Sequence, residues 1–387
     1  MAKITKFTLI FFTFLNLFLF IFNHKQDYLK KYDAEYWSNQ YEGSQWNKGW
    51  FATTYMSDAE HYAWNGWHII NGGDPDLINR QGPPLAKYFI GLSILIFDNE
   101  NIASLFWGAI TLVILFFLAK NITKNTIKSL FIVLLFSLDK LFLEQLNTSM
   151  LDLPFAFLLL LTIYFFIKSQ KDSKYIYFSV ITLFVSATSK VYPQVGVFAL
   201  ILIFYLLINK KFDLFFKFLK AIPIGIIVYL LIYFPYFRYH NLKEFAYLHF
   251  WIVWFARNQV PNYHFFEIWR TYLFGQWLSW TPNPPETDFI LKLEPVKQWN
   301  IFWFIGGSIT SIRFAYLSIK RLFSGNEFLI VSIVLGYLMF WSLTLPYPRY
   351  LLPILPLTYI EIVLVASKLG NSLLKYTKKA ISQKGKI

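Results

Sequence analysis

The 387-residue chain has no cysteine, which rules out disulfides, thiolate metal sites and a cysteine nucleophile. It is also poor in charge. Only 15% of its residues are Asp, Glu, Lys or Arg, while 56% are hydrophobic, so it lacks the polar cover a soluble domain needs. No Walker loop, dinucleotide fingerprint or nucleophile elbow occurs, so a soluble nucleotide cofactor is not indicated. Metal-ligand spacing is equally scarce. His61 and His68 stand seven apart, His240, His249 and His264 are scattered, and Asp74–Pro75–Asp76 reads as a turn. A divalent ion is left open and no other cofactor is expected.

What the chain has instead is aromatics, with 43 Phe, 25 Tyr and 14 Trp, and a net charge of +14. The basic residues sit in short clusters between apolar runs, which fits a membrane surface and not nucleic acid. Runs near the length of a span lie at 5–22, 102–119, 130–146, 152–168, 176–189, 193–209, 221–237, 300–318, 327–345 and 350–367. The first follows Lys3 and Lys6, and the His24–Lys25–Gln26 stretch after it offers no small-residue cleavage site, so it reads as a retained anchor. One further run, Leu85 to Phe97, is short for a crossing.

Charge decides how that short run is read. If 85–97 does not cross, the clusters around Lys3, Lys120, Lys168, Lys210, Lys320 and the 368–387 tail all fall on one side, together holding 20 of the 36 basic residues. That side is the cytoplasm under the positive-inside rule. The expectation is a single all-α polytopic domain over 1–387, with about ten transmembrane helices, both termini cytoplasmic, and 85–97 a re-entrant or surface helix. Two aromatic-rich polar segments, 23–84 and 238–299, then lie outside as interfacial helices.

The unusual polar residues gather on that outer side. Asp58, in Ser57–Asp58–Ala59–Glu60–His61–Tyr62, admits two readings: a general base, or the cap of a helix starting near Ala59. Pro83–Pro84 opens a helix abruptly, and Lys87 one turn later either meets a phosphate or snorkels. Asp152, at the mouth of an apolar helix, reads as a cap or as part of a site. Lys190 and Arg349 are cations on the disfavoured side, hard against apolar helices; bound phosphate or lipid headgroups would each account for them.

In this order the motifs resemble those of the GT-C class of membrane glycosyltransferases, and within it the protein O-mannosyltransferase and lipid A aminoarabinose transferase families. The matching stretches are Asp58-Ala59-Glu60-His61-Tyr62, Pro83-Pro84-Leu85 with Lys87, Met150-Leu151-Asp152-Leu153-Pro154, Ala187 to Lys190, and Arg349-Tyr350-Leu351-Leu352-Pro353-Ile354-Leu355-Pro356. Trp277-Leu278-Ser279-Trp280-Thr281-Pro282 is similar to a Trp-rich stretch of the mannosyltransferases. Two departures stand out: Gly82 takes the place of the charged or His residue before Pro-Pro-Leu, and Thr148 and Ser149 take the place of an Arg before the second Asp.

The resemblance implies a GT-C-like bundle that transfers a sugar, with inversion, from a polyprenyl-phosphate donor to a lipid, glycan or protein acceptor. The plasma membrane is the expected location and the extracytoplasmic side the expected site. Asp58 would serve the acceptor, with Glu60 or Asp152 in support, and Lys87, Lys190 and Arg349, with Tyr62 nearby, would meet the donor phosphate. The alternative from another class is a transporter or flippase of a polyprenyl-linked glycan. The concentration of polar residues at one face, without visible repeats, favours the enzyme.

Overall fold

The computed structural model describes residues 2–80, 82–190, 192–258, 265–283, 288–343 and 347–384. Within them the chain is built from helices, four of which are long and apolar enough to cross a membrane: Ala2–Asn23, Ile102–Thr123, Asp152–Ser169 and Phe212–Ile232. Shorter apolar helices, among them Tyr175–Ala187, Tyr192–Ile208 and Asn326–Trp341, fill the bundle between them. Helix Leu85–Phe97 has 13 residues. At 1.5 Å per residue it is about 20 Å long, well short of a ~30 Å hydrocarbon layer.

The two ends of the bundle differ in their polar residues. Asp152 is the first residue of the Asp152–Ser169 helix and Lys168 lies in its last turn, so the two ends stand about 27 Å apart. At the lysine end, side chains tie the turns together. Lys211 donates to Gln170, Lys217 to Ser173, Asn209 to the Phe323 carbonyl, and Lys128 to Ser367. Arg313 and Lys368 both pair with Glu327. At the other end lie the first helices after the N-terminal one, the connection holding Lys190, and the 3-10 turn Pro348–Leu351.

Three departures from the sequence reading have physical causes. The run 130–146 is two helices, Thr126–Ser137 and Lys140–Leu146, broken at Leu138–Asp139. Asp139 caps the second by accepting from Leu141 N and Phe142 N, and its other oxygen accepts from Asn300, Trp303 and Tyr359 at 2.8–3.0 Å. A carboxylate inside an apolar run is costly unless fully satisfied, and here five donors satisfy it. Second, the 238–299 segment contains an antiparallel hairpin, Gln276–Asn283 with Asp288–Pro295. Its strands hold three aromatic and two β-branched residues, and prolines 282, 284 and 285 forbid a continuous helix. Third, the last helix runs Leu355–Lys384, carrying the basic tail in helical form beyond the expected end at 367.

One crossing sets the geometry of the outer end. Helix Asp58–Ile70 meets helix Leu85–Phe97 at Gly66 and Gly91, backbone against backbone. A Cβ on Gly91 would lie 2.2 Å from the Gly66 carbonyl oxygen, and one on Gly66 would lie 2.6 Å from the Lys87 carbonyl oxygen. Only glycine at both positions allows this approach. It presses Lys87 against His61's helix.

Candidate active site

Helix Asp58–Ile70 starts with a capping box. The Ser57 side chain accepts from Glu60 N, and the Glu60 carboxylate accepts from Ser57 N and Oγ at 2.7 and 2.8 Å. This corrects two readings. The cap is Ser57 and not Asp58, and Glu60 holds its own helix start instead of supporting Asp58. Asp58, at the first helical position, is left to point elsewhere. It pairs with Arg349.

That pair is one end of a chain of alternating charges. Arg349 Nε lies 3.8 Å from Asp152 Oδ2, and Asp152 Oδ1 pairs with Lys190 Nζ. Four residues from four distant segments meet here. The inner half is closed, with the Asp152 and Lys190 side chains only 2% and 7% exposed. The outer half is open: Asp58 is 25% and Arg349 20% exposed.

Aromatic faces hold the cations in place. The Arg349 guanidinium lies 4.4 Å from the Tyr347 ring centre and Lys190 Nζ lies 4.3 Å from that of Tyr350. Tyr350 stacks on Trp341 at 4.1 Å, and Trp277 of the hairpin backs Tyr347 at 5.8 Å. Tyr62 is partly buried beside this group. Burial first, then the Asp58 carboxylate, push its phenol well above the ordinary range, so it stays a hydrogen-bond donor.

Lys87 does not join that chain. It is buried one helix face away, with Nζ donating to the Gly82 carbonyl at 2.7 Å and to Asn79 Oδ1 at 3.0 Å. Asn79 Nδ2 in turn donates to His61 Nδ1 at 3.2 Å. Burial, with the Lys87 charge added, holds His61 well below its usual range, so the imidazole is neutral and can accept this bond. Among the described residues no carboxylate lies within ion-pair distance of Lys87. It lines a recess with Arg80, Gly82, Tyr233, Tyr236 and Leu248. Arg80 is held by Asp76 through two hydrogen bonds of 2.9 and 2.6 Å and lies 5.3 Å from the Trp251 ring.

The recess and the charge chain are neighbours. His61 faces one and Tyr62 the other, and Leu85 N donates to the Thr188 carbonyl, two residues before Lys190, at 2.9 Å. The sequence reading grouped Lys87, Lys190 and Arg349 as one phosphate set; in the structure Lys190 and Arg349 face carboxylates, whereas Lys87 is held by neutral oxygens. It missed the Tyr347–Tyr350 platform and the His61–Asn79–Lys87 contact. Among the described residues no group of three His, Asp or Glu side chains is placed to hold a metal ion. His264 and the side chains of Trp280, Thr281 and Pro282 lie outside the described residues.

The described helices are those of a multi-pass membrane protein, and its fold is shared with a solved structure. Residues 81–238 match the family model for dolichyl-phosphate-mannose-protein mannosyltransferase. The chain is similar in structure to ArnT from Cupriavidus metallidurans bound to undecaprenyl phosphate, with a TM-score of 0.58 and 14% identity, over 84% of this chain and 59% of that one. The apo form of the same protein gives a TM-score of 0.51 and 15% identity, over 83% and 57%. The chain thus spans under two thirds of the length of these relatives. No curated protein matches it in sequence.

Proposed function

We propose that the chain is an integral membrane glycosyltransferase that moves a sugar from a polyprenyl-phosphate donor to an acceptor hydroxyl or amine, at the end of the bundle opposite its lysine-rich turns. The observation that carries this reading is Lys87, a buried lysine with no carboxylate partner among the described residues, on a helix that crosses the one opened by Asp58, the open end of the charge chain. A buried lysine held only by neutral oxygens is suited to an anionic ligand. The undecaprenyl phosphate bound by the structurally similar ArnT agrees with that ligand class.

In this reaction the acceptor oxygen or nitrogen attacks the anomeric carbon, and its proton passes to Asp58. The bond between the anomeric carbon and the phosphate oxygen breaks, leaving its electron pair on the lipid phosphate. Lys87 and Arg349 stabilise the charge that develops there. A single in-line displacement inverts the anomeric centre. The clustering of lysines in the turns at the other end supports a cytoplasmic side there and an extracytoplasmic site, by the positive-inside rule.

The test is to present purified protein in lipid with a panel of radiolabelled polyprenyl-phosphate sugars. Transfer of the sugar to an acceptor or to water supports the reading. Movement of the donor between leaflets with its sugar still attached would replace it with a transporter.

A further inference from the structure

The charge chain is balanced: two carboxylates, Asp58 and Asp152, face two cations, Arg349 and Lys190. A phosphate arriving next to it can recruit a cation only by taking one from a carboxylate. Lys190 is not available, since it and Asp152 are closed off from solvent together. Arg349 is, because it sits in the open half and its second acidic neighbour is 3.8 Å away. Its guanidinium rests on Tyr347, a face on which it can turn without losing its support.

We infer that Arg349 is a latch on Asp58, released when the lipid phosphate of the donor takes the guanidinium, so that donor binds before acceptor. This rests on the glycosyltransferase reading above. In the free protein Arg349 Nη2 occupies Oδ2, one of the two Asp58 carboxylate oxygens. An arginine fork matches two phosphate oxygens better than one carboxylate oxygen, so a donor phosphate that reaches Arg349 competes well for it. Release leaves Asp58 in place, because the Ser57–Glu60 capping box fixes its backbone without using its side chain. A carboxylate whose second oxygen is released only once the donor is seated couples activation of the acceptor to donor binding.

The experiment uses the full chain in nanodiscs with undecaprenyl phosphate as the probe. Binding is followed by native mass spectrometry. Exposure of Asp58 is followed by carbodiimide coupling of an amine and peptide mass analysis. The latch predicts that Asp58 coupling rises several-fold when the lipid binds. It also predicts that Arg349→Gln couples at the high level without lipid and does not respond to it. Lipid that binds while wild-type Asp58 coupling stays flat or falls overturns the latch and leaves the glycosyltransferase reading standing. Absence of lipid binding overturns that reading, and the latch with it.

Discussion

Asp152 and Lys190 form an ion pair closed on all sides, so removing one partner should cost far more than removing both. Asp152→Asn leaves the Lys190 ammonium buried with no counter-charge, and Lys190→Met leaves Asp152 only Arg349 Nε, 3.8 Å away. Breaking a buried pair in this way destabilises by about 3–5 kcal/mol, whereas replacing both partners is often near neutral. The double variant should therefore be more stable than either single one, with a coupling energy of about 3 kcal/mol or more. Against a typical total stability of about 5–15 kcal/mol, either single change is large. The assay is reversible unfolding in mixed micelles by increasing SDS, read by tryptophan fluorescence, for wild type, both singles and the double. Two small effects that simply add would refute the pair's burial, and with it the claim that Lys190 is locked while Arg349 is free to exchange.

Gly91→Ala should destabilise by about 1–3 kcal/mol, because its Cβ would lie 2.2 Å from the Gly66 carbonyl oxygen and force the two helices apart. Gly196→Ala is the contrast: nothing lies within 4 Å of that Cβ, so thermal unfolding should be unchanged or slightly improved. Equal effects at the two sites would contradict the close crossing. His61 gives a pH signature. Its folded-state pKa is depressed by burial and by Lys87, so the unfolded chain takes up a proton first, at about pH 6.5. Stability from the neutral imidazole is present above that pH and is lost as pH falls below it, by up to about 1.4 kcal/mol per unit. Melting temperatures from pH 7.5 to 5 should show this loss in wild type and a smaller one in His61→Phe; matching profiles would contradict it.

Much of the architecture was legible because its causes are local. Apolar length gave most helices, and the alternation of lysine clusters with apolar runs singled out the end of the bundle where Asp58, Asp152, Lys190 and Arg349 meet. Their pairing was not legible, since it joins segments nearly 300 positions apart through side-chain contacts with no periodic signature. Glu60 looked like a partner for Asp58 because the two are adjacent in sequence. Yet Ser57 with Glu60 three residues on is a capping-box pattern that could have reassigned it. Asp139 also left a signal: a carboxylate in the middle of the 130–146 run marks a break in the helix or a satisfied polar hub, and it is both. The hairpin was hidden by tryptophan-rich composition that suits an interfacial helix equally well, and only its prolines argued otherwise.

In the proposed reaction Lys87 holds the phosphate and Asp58 takes the acceptor's proton, and a comparison of Lys87→Gln with Asp58→Asn tests that division most directly. Donor binding and sugar transfer would be measured on the same preparations in nanodiscs, with the polyprenyl-phosphate sugar that wild type uses. Lys87→Gln should weaken donor binding by about 30-fold, the equivalent of roughly 2 kcal/mol for a charged hydrogen bond. Asp58→Asn should bind donor at least as tightly as wild type while transfer falls by two or more orders of magnitude. An Asp58→Asn protein that transfers sugar at the wild-type rate, or a Lys87→Gln protein that binds donor unchanged, would contradict it.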